Sequence, residues 1–481
     1  MSQSKNVSQS KKIGLMNRLS LRTLTYVEGS AWALMVNFGE TACVIYFSKS
    51  QLSGLALGLL MTLPTAIGAV AQGLIPHFAR GVSAVRLTLA NVVLQMFGLI
   101  VMGLSLANDK MNLYVMFLGL CFYYIGGYTA GAPWQEWMSG MIPRSKHNQF
   151  FARRSGFVSL FMLIGYLSVG YFINDKVRPI DVIYMISIAF FFRVISLLFL
   201  YFHPRPVLQC LEAENSIEKD TPYDNAENIH ELENNSNYKI NSSINSSLNS
   251  SELKAEPSIK LVGEPVIKLG MLCLVIFVFR VAVHISAPFY NPYMLKELNF
   301  SIFIFACLNS VPLATRFVLL RNWGRLLDDK RMFEGFCICI IGIAAAPLLW
   351  TLYTNVWFIA SLQVLSGIVW PGFELVSMLF IQRIYPKNIL MSLAFFGAAS
   401  ALGAVVGGVI GGQIVDSGMG FYSVFQVSSV LRLVTGAVFL VYLRSAGAFK
   451  FRRLEIVQGM MTLVFLKSSK AVAEDRVGRA A

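Results

Sequence analysis

The sequence NSSINSSLNSSELKAEP, residues 241–257, lies in the least hydrophobic stretch of this chain, which runs from about residue 203 to residue 265. That stretch holds eleven acidic residues against five basic ones, besides its repeated Asn-Ser-Ser triplets. Such a composition cannot bury enough apolar surface to offset the entropy lost on ordering, so we expect a disordered linker. A block of long apolar runs lies on each side. Two apolar halves joined by a polar tether are typical of a pseudo-symmetric membrane protein.

The overall composition agrees with this interpretation. Hydrophobic residues make up 55% of the 481 and charged residues 14%, whereas soluble domains carry about 25% charged residues. The net charge of +14 does not indicate nucleic-acid binding, because the basic residues are scattered between apolar runs. The seven cysteines include no Cys-x-x-Cys pair and are interpreted as small buried side chains. We expect no cofactor and no metal site.

A transmembrane helix needs about 20 apolar residues, and the chain offers twelve such runs. The predicted fold class is an all-α membrane protein with twelve transmembrane helices in two pseudo-symmetric six-helix bundles. The predicted spans are 24–47, 52–76, 84–106, 111–141, 154–174, 181–202, 267–290, 300–320, 333–353, 357–382, 389–415 and 420–443. The predicted domains are an N-terminal segment (1–23), a six-helix bundle (24–202), the linker (203–266), a second six-helix bundle (267–443) and a basic tail (444–481).

Lysine and arginine set the predicted orientation. Connections rich in these residues, such as the one around Arg153, alternate with connections that hold few, and both termini belong to the basic side. By the positive-inside rule the termini, the linker and the tail are cytoplasmic. The run after the basic N-terminus is too long for a signal-peptide core, so it is retained as the first span.

The two halves repeat each other. Pro133-Trp-Gln-Glu136 in the fourth span matches Pro371-Gly-Phe-Glu374 in the tenth at an offset of 238 residues. Arg193 in the sixth span matches Arg432 in the twelfth at an offset of 239, and for these two arginines a scaffold role is favoured. Gly-x-x-x-Gly pairs in the second and eleventh spans predict close helix packing.

These features resemble the major facilitator superfamily of secondary transporters, and the run around Pro133 is similar to a bacterial branch of it. The superfamily's loop signature, Gly-x-Leu-x-Asp followed by basic residues, stands after the eighth span, and its twin after the second span lacks the aspartate. The resemblance implies a multi-pass monomer in the cell inner membrane, with a small-molecule substrate, a coupling ion (a proton or Na⁺) and the lipid bilayer as its partners. It also implies a conformational latch at Gly324, Asp328, Lys330 and Arg331.

In that fold the first, fourth, seventh and tenth spans line a central cavity. The ionisable residues that the sequence places in these spans are Glu28, Glu40, Glu136, Arg280, His284 and Glu374. The aromatic and amide side chains on the same spans are Trp32, Asn37, Tyr123, Tyr124, Tyr128, Trp134, Gln135 and Trp370. Ionisable groups inside a membrane are costly, so they need partners or water.

The functional hypothesis is that Arg280 binds an anionic or strongly polar solute while Glu40 or Glu374 exchanges protons. The alternative for each charge is a structural ion pair, such as Glu136 with Arg153 or Arg154, and the alternative for the aromatic residues is helix packing. For the whole chain, the leading hypothesis is a secondary active transporter. The alternative is a transporter-like sensor or scaffold that acts through its linker and tail. No Gly-x-x-x-x-Gly-Lys-Ser/Thr loop or hydrolase motif is present, so an enzyme is not expected.

Overall fold

The computed structural model describes residues 21–79, 81–108, 111–142, 147–204, 264–326, 332–384 and 389–445. Within these ranges the regular structure is helical throughout. Residues up to His203 and from Lys268 onward form one unit, and Pro204–Ile267, most of which lies outside the described residues, forms another. The predicted linker and basic tail therefore stay predictions.

Twelve helical segments, α1 to α12, follow one another in the described residues. In the first half they are α1 (Leu21–Val36, the π-helical turn Asn37–Thr41 and Ala42–Lys49), α2 (Gly54–Phe78), α3 (Ala84–Leu104), α4 (Leu113–Gly140), α5 (His147–Phe172) and α6 (Pro179–Tyr201). In the second half they are α7 (Glu264–Ser286, continued by short turns to Glu297), α8 (Ile302–Leu326), α9 (Met332–Leu349), α10 (Val356–Ile384), α11 (Ile389–Ile414, with the π-helical turn Val415–Met419) and α12 (Gly420–Ser445).

The helices have the length and apolarity that a membrane requires. Eight stretches of the described residues are long and apolar enough to cross one, and one of these, Ser392–Leu443, contains both α11 and α12. The apolar parts of α8 and α9 are shorter, Ile302–Val318 and Gly335–Leu349. In α1 the π-helical turn divides the span. The predicted all-α membrane class is confirmed.

Several helices begin at a capping side chain. The Ser53 hydroxyl accepts a hydrogen bond from the Ala56 N–H at 3.1 Å, and Asn112 accepts one from the Val115 N–H at 3.2 Å. The first N–H groups of a helix have no partner inside the helix, so a short polar side chain just before them fixes its start.

Two helix pairs make the most extensive contacts between the halves: α2 packs against α11, and α5 packs against α8. At the first crossing a Cβ atom added to Gly58 would lie 2.3 Å from the Gly408 carbonyl oxygen. At the second, a Cβ added to Gly170 would lie 2.3 Å from the Ala306 Cβ. Small residues thus let the helix backbones approach closely, and at the α2–α11 crossing these are the glycines of the predicted Gly-x-x-x-Gly pairs.

The buried cores show where the halves meet. We call the side on which α1 begins the basic face, and the other side the opposite face. One core near the opposite face contains residues of both halves, among them Phe47 and Phe289. Toward the basic face each half has its own core, one around Met138 and one around Phe373. The halves therefore share apolar packing at the opposite face and are packed separately at the basic face.

Candidate functional site

A cavity of about 230 Å³ lies between the two halves. It is lined by Thr65, Ala66 and Ala69 of α2, Tyr128 of α4, Arg280 and His284 of α7, and Gly397, Ser400, Ala401 and Ala404 of α11. Three of the site residues predicted from the sequence, Tyr128, Arg280 and His284, thus line one space. The small residues of α2 and α11 leave the room that these larger side chains need.

Arg280 is the cationic group of this cavity. Its Nε atom is buried and has no hydrogen-bond partner among the described residues. Its guanidinium carbon lies 5.6 Å from the ring centre of Phe373 and 5.8 Å from that of Trp370. Aromatic faces attract a cation but accept no ordinary hydrogen bond. The guanidinium is therefore held in place while donor capacity stays free.

Glycines of α11 make this placement possible. A Cβ atom at Gly403 would lie 2.9 Å from the Arg280 Cβ, and one at Gly407 would lie 2.9 Å from the His284 Cβ. The His284 ring bonds the Arg280 backbone oxygen through Nδ1 at 3.0 Å. Because α11 presents no side chain here, it packs directly on the face of α7 that carries both residues.

Ser400 adds a second polar group to the cavity. Its hydroxyl is buried and has no hydrogen-bond partner in the part of the chain that the structure describes. Buried polar atoms are nearly always paired, so two unpaired ones in a single cavity indicate a place for water or for a ligand. A guanidinium and a hydroxyl together suit an anion, because both can donate to carboxylate or phosphate oxygens.

Glu40 lies in the π-helical turn of α1, next to this cavity. The Tyr123 hydroxyl donates a hydrogen bond to its carboxylate at 2.9 Å. Tyr124, Tyr128 and Tyr166 interact electrostatically with the same carboxylate. Tyr128 also forms part of the cavity wall, so it joins the Glu40 group to the Arg280 cavity. Single π-helical turns are often found at functional sites.

Glu374 forms an ion pair that the sequence analysis did not anticipate. Its Oε2 atom lies 3.4 Å from the Arg316 guanidinium, and both side chains are about half exposed, at 48% and 51%. Glu374 also interacts electrostatically with Arg280. Arg316 was overlooked although it falls inside the predicted eighth span, where a basic residue is itself a signal of function.

Glu28 belongs to a separate buried group in the first half. It is 3% exposed and pairs with Arg154 of α5 at 3.0 Å, while the Arg154 guanidinium stacks 4.0 Å from the Trp134 ring centre. The Ser196 hydroxyl lies 3.5 Å from the other Glu28 oxygen. Arg154 therefore pairs with Glu28, and Glu136 is exposed. This group resembles a structural ion pair more than a binding site.

Other predicted site residues lie in different surroundings. Asn37 is buried and donates to the Ala33 carbonyl of its own helix at 2.9 Å, and Trp32 is half-buried beside the shared core. Gly324 lies near the end of α8, but Asp328, Lys330 and Arg331 lie outside the described residues, so the latch stays a prediction.

Arg432 has the scaffold role that its position in the outer twelfth helix suggested. It donates to the Val283 and Ile343 carbonyls at 2.8 Å and to the Ser286 hydroxyl at 2.7 Å. Its bonds thus tie α12 to α7 and α9. Its sequence match Arg193 is equally buried and donates to Ser196 at 3.2 Å.

Residues 272–456 match the sequence pattern of the Major Facilitator Superfamily, and the helices of both halves have the same fold as solved transporters. This match lies within the second half of the chain. The apolar helices indicate a multi-pass membrane protein, and its fold is shared with solved transporters.

Solved transporter structures that resemble this chain are distant in sequence. The nucleoside transporter NupG superposes with a TM-score of 0.63 at 11% identity, covering 89% of this chain and 100% of NupG. A POT family transporter in complex with 5-aminolevulinic acid gives 0.61 at 14% identity, covering 89% of this chain and 96% of the other. A bacterial homologue of the human drug peptide transporters PepT1 and PepT2 gives 0.56 at 15%, covering 92% and 100%. No curated protein sequence matches the chain. At these identities the likeness establishes the shared fold alone.

Proposed function

We propose that this chain is a secondary active transporter that moves a small organic anion across the cytoplasmic membrane by alternating access, coupled to protons. The observation that carries the proposal is the position of Arg280 in a cavity between the two halves, where its guanidinium forms no ion pair with a carboxylate of the described residues. An unpaired cation in a membrane interior is costly, and an anionic solute that enters the cavity would offset that cost.

The surroundings of Arg280 narrow the substrate class. Ser400 offers a further hydrogen bond, and Trp370 and Tyr128 offer flat apolar faces with polar edges. The proposed substrate therefore combines a carboxylate or phosphate with a small apolar or aromatic body. Arg316 already holds Glu374, which leaves Arg280 available to the solute.

Glu40 is the proposed proton carrier. It is half-buried, accepts a hydrogen bond from Tyr123 and has no basic partner within 4 Å among the described residues. A carboxyl group without a basic partner can take up and release a proton without breaking an ion pair, and this suits a proton carrier. Glu374 is the second candidate, but it already forms an ion pair with Arg316 at 3.4 Å.

The packing of the two halves supports alternating access. The halves share one core at the opposite face and have separate cores at the basic face. This packing is required of a state that is closed at the opposite face and open at the basic face. With the basic face cytoplasmic, this is the inward-facing state. Rocking at the α2–α11 and α5–α8 crossings would then expose the cavity to the other side.

The test begins with metabolite profiling of cells with and without the protein, followed by counterflow in proteoliposomes. The counterflow panel contains the metabolites whose levels differ, together with a nucleoside, 5-aminolevulinic acid and a dipeptide, which the solved relatives suggest. We expect counterflow of an anion from this panel. Binding without counterflow of any compound would support the sensor or scaffold alternative and overturn the proposal.

A further inference from the structure

Each half contributes an aspartate that caps a helix of the other half. Asp416, in the turn between α11 and α12, accepts hydrogen bonds from the N–H groups of Gly54 and Leu55 at the start of α2, the latter at 2.9 Å. Asp175, between α5 and α6, accepts one from the N–H of Ile302 at the start of α8, at 2.8 Å. These contacts cross between the halves in opposite directions.

The two contacts are related by the internal repeat. Asp416 follows Asp175 by 241 residues, close to the offsets of 238 and 239 that relate the other repeated positions. The capped helices match as well, since Ser53 accepts from the third residue of α2 and Ser301 accepts from the third residue of α8. Each helix start thus has one cap from its own half and one from the other half.

This division of caps matters when the halves separate. Losing the aspartate would release the first N–H groups of α2 and α8 to water, where they can be solvated. The serine caps would stay in place and keep the helix ends formed. The aspartate caps can therefore break and re-form without unfolding a helix.

The position of the caps in the molecule supports a role in closure. A Cβ atom at Gly54 would lie 2.6 Å from the Gly412 carbonyl oxygen, and one at Gly170 would lie 3.3 Å from the Ile302 carbonyl oxygen. Both caps thus lie at the ends of the two crossings that join the halves, beside the core that the halves share. Lys296 adds a bond from the second half to the Ser50 carbonyl at 2.8 Å.

We propose that Asp175 and Asp416 form a paired outer latch that holds the opposite face closed, and that both caps break together when this face opens. This inference rests on the alternating-access function proposed above. A carboxylate at a helix N-terminus combines hydrogen bonding with a favourable interaction with the helix dipole. Removing one cap should therefore raise the fraction of open molecules about tenfold, which corresponds to ~1.4 kcal/mol.

Hydrogen–deuterium exchange on the full-length protein distinguishes a paired latch from two local caps. In Asp416→Ala the first turn of α2 loses its own cap, so faster exchange there is uninformative. The informative site is the first turn of α8, which Asp416 does not touch. A paired latch predicts about tenfold faster exchange there too, because both helices open in the same movement. Asp175→Ala should have the reciprocal effect on α2.

The matched control is Asp181→Ala. Asp181 lies in the first turn of α6, near Asp175, and accepts the N–H of Arg178 at 3.0 Å within its own half. Its loss should speed exchange only at the start of α6. Asp416→Asn is a milder variant, because an amide keeps one of the two acceptor oxygens, and its effect on α8 should be smaller than that of alanine.

The proposal is overturned if Asp416→Ala leaves α8, and Asp175→Ala leaves α2, at the parent's exchange rate. Because exchange needs no substrate, this result is separate from the transport assay. A cross-helix effect with no counterflow of any compound would overturn the transport proposal alone. Counterflow without the cross-helix effect would overturn the latch alone.

Discussion

Replacing Arg280 with glutamine tests the binding site most sharply. The change removes the positive charge and the forked donors but keeps a polar side chain of similar reach. A hydrogen bond to a charged group contributes about 1.5–3 kcal/mol, so the affinity for the anion should fall roughly 10- to 150-fold. Arg280→Lys keeps the charge but loses the planar fork and its stacking on Trp370, so its affinity should lie between those of the parent and Arg280→Gln.

The stability of the variant should stay close to that of the parent. Arg280 Nε donates no hydrogen bond to any described residue. Removing Nε therefore leaves no buried acceptor without a donor. The measurement is the dissociation constant of the anion identified by profiling, taken from its thermal stabilisation of the purified protein. An unchanged dissociation constant in a folded Arg280→Gln variant would refute the assignment of Arg280 to the site.

Three further variants test other parts of the structure. Glu40→Gln should abolish proton-driven accumulation in proteoliposomes yet retain counterflow, and accumulation at the parent's rate would exclude Glu40 as the proton carrier. Arg432→Met removes three buried hydrogen bonds and should lower the free energy of unfolding by about 3 kcal/mol, measured by thermal denaturation in detergent. The control is Arg178→Met, at an exposed position. Equal losses of stability in the two variants would contradict the scaffold role of Arg432. Gly58→Ala would place a Cβ atom 2.3 Å from a backbone oxygen of α11 and should speed amide exchange along α2. The control Gly131→Ala should not, because its Cβ atom would meet no atom within 4 Å. Equal amide-exchange rates along α2 in the two variants would contradict the close crossing.

The helices could be predicted from the sequence because long apolar runs and their breaks are local features. The predicted span 84–106 corresponds to α3, Ala84–Leu104, and 181–202 corresponds to α6, Pro179–Tyr201. Helix α5 begins at His147, seven residues before the predicted span 154–174, because the charged residues Arg153 and Arg154 were counted with the basic connection that precedes it. In the structure Arg154 is inside the protein, where Glu28 neutralises it.

The partners of the charged residues could not be predicted in the same way. Whether Arg154 pairs with Glu28 or Glu136 depends on the rotation of three helices about their axes, which apolar content does not fix. The aspartate caps of α2 and α8 were missed for a similar reason, since each joins residues that are distant in sequence. The repeat offset offers a signal: Asp175 and Asp416 are 241 residues apart, and the same comparison that paired Arg193 with Arg432 would have paired them.

The central claim is that the cavity between the halves is reached from one face at a time. The test is the reaction of a Ser400→Cys variant with a membrane-impermeant thiol reagent, with the parent's own cysteines as the background. The unreactive control is Ser429→Cys, because the Ser429 hydroxyl donates to the Ala344 carbonyl in the buried core. We predict reaction from the basic face, protection by the transported anion, and reaction from the opposite face once Asp416 is replaced by alanine. A Ser400→Cys protein that reacts from neither face, or that reacts equally from both in the parent background, would contradict alternating access to this cavity.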